Sequence, residues 1–265
     1  MKTVVITGSG RGFGFEMAKE FLKYNYNVVI TDINKDVLKS AEENLKDIKT
    51  KGKIYSHEIN VCDENSVSKT IDDILKEFES IDVWINNAGV NQPDKYLWEL
   101  DINDISKIID IDLKGTIICS NKILPVMIKQ KHGQIYNVEG HGSNDALIDK
   151  LTVYGTAKRG ITYFTESLAH EVKKYAGICV GKITPGIMIT NFLFHSLGDG
   201  EKIELDDKTK KIYNILGDYP ETIARFMVKK IVVNNKNNVK FAWLTNKRAF
   251  LRFIKYSFVK RDLFK

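Results

Sequence analysis

Cysteine is nearly absent. The 265 residues hold three, Cys62, Cys119 and Cys179, widely spaced and with no C-x-x-C. An odd, scattered set makes no disulfide framework, so reduced thiols and a cytoplasmic chain are expected. Histidine is sparse too: none of the five stands in H-x-x-x-H or in a Cys/His cluster, so no metal site is expected. No apolar run approaches the ~20 residues that span a bilayer. The opening MKTVVITG reads as a core strand rather than a signal peptide. Internal repeats, low-complexity linkers and a composition break marking a second domain are missing as well. Excess charge is missing from most of the chain. The net charge is +6, but residues 241–265 carry seven Lys/Arg against one acid, Asp262, and the rest is balanced. A neutral body argues against nucleic acid as a partner and leaves the basic tail to be explained by itself.

With 43% hydrophobic residues, the chain can fill one large core. Seven β-rich runs are strand candidates: 3–7, 27–31, 53–59, 81–86, 134–138, 178–183 and 239–243. Several are continuously apolar, as strands buried on both faces are. Helical patterns fall near 13–23, 35–48, 64–79, 102–130 and 152–174, with Pro125 expected to kink the fourth. Strand–helix alternation predicts a single α/β domain over 1–265. It would be a Rossmann-type, doubly wound parallel sheet of seven strands with helices on both faces. Residues 188–220 break the rhythm. An insertion there lies at the carboxyl edge of the sheet, and is either a substrate lid or a surface excursion.

TVVITGSGRGFGFEMAKEFL places Gly8, Gly12 and Gly14 after the first strand and into a helix. Glycines allow a tight turn and close approach to a pyrophosphate, and the helix N-terminus supplies free N–H groups. The acid at the expected distance is Asp32, which can accept bonds from both ribose hydroxyls and would repel a 2′-phosphate. Ile33 and Asn34 follow it, not arginine. This favours NAD(H), whereas Arg11, inside the turn, would suit NADP(H). Ser9, Phe13 and Ile33 complete the cofactor-binding set read from this half.

The motif order T-G-x-x-x-G-x-G (Thr7 to Gly14), N-N-A-G (Asn86 to Gly89), Y-x-x-x-K (Tyr154, Lys158), P-G (Pro185, Gly186) and Thr190 resembles the short-chain dehydrogenase/reductase superfamily, over nearly the whole chain. The resemblance implies that Asn87, Ala88 and Gly89 line the adenosine side. It also implies that Asn60 and Val61 hold adenine, with Asn60 standing where Asp is usual. Pro185, Gly186 and Thr190 would face the nicotinamide.

Hydride transfer to a carbonyl needs a proton donor, and a free tyrosine, with pKa near 10, is a poor one at neutral pH. A lysine ammonium nearby stabilises tyrosinate, and i,i+4 spacing puts Tyr154 and Lys158 on one helix face. Two positions depart from the family. Asp112 replaces an asparagine whose backbone carbonyl, by the resemblance, helps hold a water beside the lysine. The serine expected about thirteen residues before the tyrosine is displaced. That count lands on His141, strand alignment lands on Gly140, and the first serine is Ser143. Ser143 is the expected carbonyl-polarising residue, with Glu139 and His141 as other hydrogen-bonding groups.

The loop NVEGHGS followed by YGTAKR resembles the chlorophyll b reductase branch, so the displacement reads as a branch feature. Plant members of that branch reduce a chlorophyll formyl group with NADPH. The expected function is a NAD(P)-dependent oxidoreductase interconverting a carbonyl and an alcohol on a hydrophobic small molecule. The alternatives are a formyl reductase of that branch, membrane-associated or not, and a nicotinamide-binding module without turnover. Relatives of this fold are usually homodimers or homotetramers. The tail, 244–265, draws as an amphipathic helix. Phe250, Phe253, Ile254 and Phe258 share one face, and Arg248, Arg252 and Lys255 another. It would either lie on an anionic membrane, cover a hydrophobic pocket or pack ordinarily.

Overall fold

The computed structural model describes residues 1–190 and 205–264. Seven strands alternate with helices: β1 (Thr3–Ile6), α1 (Gly12–Lys23), β2 (Asn27–Asp32), α2 (Lys35–Leu45), β3 (Ile54–Glu58), α3 (Glu64–Glu77) and β4 (Val83–Asn86). Then come α4 (Ile102–Ile108), α5 (Thr116–Gln130), β5 (Gly133–Val138), α6 (Thr152–Glu171) and β6 (Ile178–Thr184). After the undescribed stretch follow α7 (Asp207–Leu216), α8 (Pro220–Val232), β7 (Val239–Ala242) and α9 (Asn246–Phe258). The strands form one parallel sheet in the order β3-β2-β1-β4-β5-β6-β7.

The apolar runs explain the two-sided core. Val4, Ile6, Val28 and Ile30 pack under α1, α2 and α8, against Met17, Phe21, Leu45 and Met227. Their neighbours Val5, Val29, Trp84 and Ile135 point the other way, against Ile74, Ile123 and Met127 of α3 and α5. Each such fully buried side chain stabilises by roughly 1.5–3 kcal/mol. Asn34, Asp63, Asp101 and Thr245 accept backbone N–H bonds at the starts of α2, α3, α4 and α9.

The predicted fourth helix is two helices joined by a π-helical segment, Ile109–Gly115, and α5 then runs unbroken through Pro125. The irregularity therefore falls upstream of the proline, in the segment that carries Asp112. π-segments are rare and tend to mark functional sites. The strand order reverses between β1 and β4, which opens a crevice at their carboxyl ends.

Candidate active site

A cleft of about 1240 Å³ runs from the glycine turn to the start of α6. The turn needs its glycines at Gly8 and Gly12, both with left-handed φ (60° and 62°). A Cβ on Gly8 would lie 2.8 Å from Ala88 Cα, whereas one on Gly12 would meet nothing within 4 Å. The turn is tied to β4 by Thr7, whose Oγ1 accepts from Asn87 N (2.9 Å) and Ala88 N (3.0 Å). Asn87 Nδ2 donates back to the Thr7 and Gly8 carbonyls. Arg11 occupies the N-cap of α1 without capping it, so the first N–H groups, at Gly12 and Phe13, border the cleft.

Two members of the predicted cofactor set lie behind this wall. Ser9 is fully buried, its hydroxyl donating to Ile6 O and accepting from Thr31 N. Gly14 backs onto the Gly8 carbonyl. They shape the turn and do not line the cleft. Asp32 and Ile33 do line it, with Arg11 on the same cavity. Asp32 Oδ1 accepts from Asn34 N at 3.1 Å. Asn60 and Val61 border the cleft next to Asn87, Ala88 and Gly89. The Asn60 side chain is spent on its own turn, accepting from Cys62 N at 3.0 Å.

At the other end, α6 starts without a cap of its own. Gln92, from the loop after β4, supplies one: its Oε1 accepts from Val153 N (3.0 Å) and Tyr154 N (3.1 Å). This pins the backbone that carries Tyr154. Nothing in the sequence singles out Gln92, a lone amide in a loop. One turn on, Lys158 Nζ lies 5.3 Å from the Tyr154 ring centroid. It also lies 2.9 Å from Asp112 Oδ2, and both partners are buried. The close approach of these opposite charges is what holds Oδ2. Asp112 Oδ1 accepts from Val90 N at 2.8 Å, and Gly89 leaves the room this needs. The Asp112 backbone carbonyl accepts the Thr116 hydroxyl at 2.8 Å. The aspartate therefore meets the lysine directly through its side chain, and it stands behind Lys158 rather than in the cleft wall.

Burial raises the Tyr154 phenol above its ordinary pKa. Lys158 pulls it down and Asp112 pushes it up again. Burial alone would discharge Lys158, but Asp112 and then Tyr154 outweigh it and hold its pKa above the usual value. Burial likewise raises Asp112, against the pull of Lys158 and the Val90 N–H. Each partner thus favours the charged form of the other.

The loop after β5 differs from expectation. Glu139 is buried and occupied: Thr162 Oγ1 (2.8 Å) and Thr184 Oγ1 (2.6 Å) donate to it, and Lys240 Nζ lies at 2.9 Å. Its carboxylate is an anchor between β5, α6, β6 and β7. Gly140 presses on the Tyr154–Lys158 pair; an added Cβ would fall inside contact distance of Tyr154 Oη and 3.2 Å from Lys158 Cγ. Ser143 is not brought to the cleft. Its hydroxyl donates to Gly140 O at 2.6 Å, which closes the turn, and its carbonyl accepts from Arg159. His141 does border the cleft; although exposed on one side, it is desolvated enough to lower its pKa.

Pro185, Gly186 and Thr190 form the facing wall, with Ile187, Met188 and Ile189. Of the predicted lid, 191–204 lies outside the described residues. Beyond it Leu205, Asp206 and, on α7, Thr209 and Tyr213 border the cleft, with Ile148 and Leu151 supplying further apolar surface.

A family model described as short chain dehydrogenase matches residues 2–198. A probable chlorophyll(ide) b reductase, chloroplastic, of Arabidopsis thaliana is 32% identical over 269 positions, covering 96% of this chain and 52% of that protein. The chain thus spans about half the length of that relative. A 3-oxoacyl-(acyl-carrier-protein) reductase of Chlamydia muridarum (strain MoPn / Nigg) is 36% identical over 209 positions, 77% of this chain and 80% of that one. Among solved structures, a closed form of serine dehydrogenase complexed with NADP+ matches with a TM-score of 0.77 at 23% identity, covering 90% of this chain and 94% of that one. NAD+-bound xylitol dehydrogenase matches at 0.76 and 21%, covering 91% and 97%. At these identities the solved structures speak to the fold alone.

Proposed function

Because this chain belongs to the short-chain dehydrogenase family, with a likeness to its chlorophyll b reductase branch, we propose that it interconverts a carbonyl and an alcohol on a hydrophobic small molecule, with Tyr154 Oη as the proton-carrying atom. The observation that carries this reading is the buried Tyr154–Lys158–Asp112 row, set at the far end of the cleft that starts at the glycine turn.

The turn suits a nicotinamide dinucleotide: the space beside Gly12 is open, and the uncapped N-terminus of α1 aims N–H groups at it. When bound, that group would supply or accept the hydride. Asp32 would take the ribose hydroxyls, which favours NAD(H), while Arg11 is the feature that would accommodate NADP(H). In the reducing direction Tyr154 Oη gives its proton to the carbonyl oxygen as negative charge grows there, and the Lys158 ammonium faces the tyrosinate left behind. In the oxidising direction the same oxygen takes the alcohol proton. Asp112 keeps Lys158 charged for both. Ser143 has no part in this reading, since its hydroxyl is engaged within the loop. His141, neutral in the neutral range, is the side chain assigned to the carbonyl oxygen. Ile148, Leu151, Ile187 and Met188 favour an apolar substrate body. Leu205, Asp206, Thr209 and Tyr213 would cover the cleft as a lid. The name of the Arabidopsis relative supports a second reading, a formyl group as the carbonyl.

The test is oxidation of NADH and of NADPH against hydrophobic aldehydes and ketones, in wild type and Tyr154→Phe. Turnover in wild type that Tyr154→Phe abolishes is the expected result. Cofactor binding without turnover on any carbonyl would replace this reading with a binding module.

A further inference from the structure

The C-terminal helix is docked by its charges. Arg252 is paired with Asp218 and donates to Leu216 O at 2.7 Å. Arg261 reaches Asp218 Oδ1 at 2.9 Å, and Trp243 Nε1 donates to Asp218 Oδ2 at 2.6 Å. Arg248 lies 3.8 Å over the Trp243 ring and donates to Trp243 O. Asp218, which is 7% exposed, is thus the hub on which α9 sits. In consequence the apolar stripe faces outward. Phe250 (65% exposed), Leu251 (53%), Ile254 (45%) and Phe258 (83%) have no core to enter, and α9 buries none of its residues. Apolar residues at this spacing in a soluble helix normally face the body; here the arginines have taken that side.

The cations left over are lysines. Lys247, Lys255 and Lys260 are exposed and make no ion pair among the described residues, and the one acid of the tail, Asp262, accepts from Phe264 N. The adjoining α7 adds exposed Lys208, Lys210 and Lys211. We propose that the outer face of α9 is a docking surface for an anionic lipid bilayer, lying in the headgroup region with its apolar stripe inserted and its lysines on the lipid phosphates. Two features choose this occupant. The stripe is a convex ridge, which a bilayer accepts and a protein partner would have to match with a groove. Its flanks are predominantly basic, with Asp262 on the tail and Asp206 and Asp207 at the start of α7 as the exposed acids, so a second copy of the same face would bring mostly like charges together. The helix lies on the membrane and does not span it: α9 has 13 residues, and no helix among the described residues is long and apolar enough to cross. Because α7 also borders the cleft through Thr209 and Tyr213, the docked face adjoins the substrate entrance. The inference stands whatever the reaction is.

The experiment is co-sedimentation of the full chain with vesicles of phosphatidylcholine and of phosphatidylcholine with phosphatidylglycerol. It is repeated for Phe250→Ser/Phe258→Ser and for Lys247→Gln/Lys255→Gln/Lys260→Gln. Each lysine near an anionic surface strengthens binding about fivefold, so the triple variant is expected to bind about a hundredfold more weakly. The double variant is expected to lose the vesicles while keeping its thermal midpoint, since the replaced side chains are exposed. Sedimentation velocity runs alongside. Failure of the wild type to bind, or equal binding by the variants, overturns the proposal. So does a wild-type oligomer that the double variant dissociates, which would give the face to a second copy.

Discussion

Gly140→Ala is a test with a small cause and a large expected effect. Gly140 does not adopt a left-handed φ, so the backbone itself tolerates alanine. The added methyl nevertheless collides with Tyr154 Oη and comes within 3.1 Å of Tyr154 Cζ. The loop cannot easily yield. Glu139 on one side is held by Thr162, Thr184 and Lys240, and the Gly140 carbonyl is held by the Ser143 hydroxyl. The tyrosine must move instead, by roughly 1 Å to restore an ordinary contact distance, and misplacement of that size costs on the order of a hundredfold in rate. A hundredfold is about 2.7 kcal/mol of barrier. Overpacking should cost the fold about 1–3 kcal/mol, so most of the protein stays folded. The assay is kcat for NADH oxidation on the best carbonyl found for wild type, with a thermal melt as control. Gly140→Ser should fail in the same way, although it restores a hydroxyl at the strand-aligned position. A folded Gly140→Ala enzyme with wild-type kcat would refute the reasoning, because Tyr154 would then not be working from the position seen here.

Removing the Gln92 amide uncovers two N–H groups at the start of α6. Gln92→Ala should cost about 1–2 kcal/mol, or roughly 3–6 °C in midpoint by calorimetry, and lower kcat with it. An unchanged midpoint would deny Gln92 the capping part. Ser143→Ala should leave turnover near wild type, whereas His141→Ala should lose about a hundredfold, as for a donor to a developing oxyanion. The reverse ranking would return the role to the serine. Asp112→Asn strands a buried ammonium and should cost about 3 kcal/mol at neutral pH. In wild type the Lys158 pKa is raised, so its contribution is complete below about pH 10.4 and lost as pH rises through the folded pKa. In the variant the larger raising cause is gone, Tyr154 alone remains against burial, and the lysine is depressed, so stability climbs as pH approaches 10.4. Urea midpoints at pH 7 and pH 10 should therefore converge; a constant gap would show that Lys158 does not depend on Asp112.

Local periodicity determined a great deal. Continuous apolar runs specify the central strands buried on both faces, while the edge strands β3 and β7 are mixed in sequence and only partly buried; all seven appear in one parallel sheet. The glycine turn, Asp32 at the end of β2 and the Tyr154–Lys158 pair are spaced by short-range geometry, so they were legible before any fold was known. What the tertiary structure decided are contacts between distant segments. Gln92 reaches a backbone 62 positions away, and Asp112 reaches Lys158 only because the π-helical segment turns it toward α6. Ser143 reads as a displaced catalytic serine because sequence gives position along the chain, not the direction of a hydroxyl; in the structure that hydroxyl donates to Gly140 O, the carbonyl that also accepts Ser143 N. The tail shows the same limit most plainly. Its amphipathic pattern was visible, but which face turns inward depended on one buried carboxylate, Asp218. Arg252 and Arg261 pair with that carboxylate, and the phenylalanines of α9 face outward.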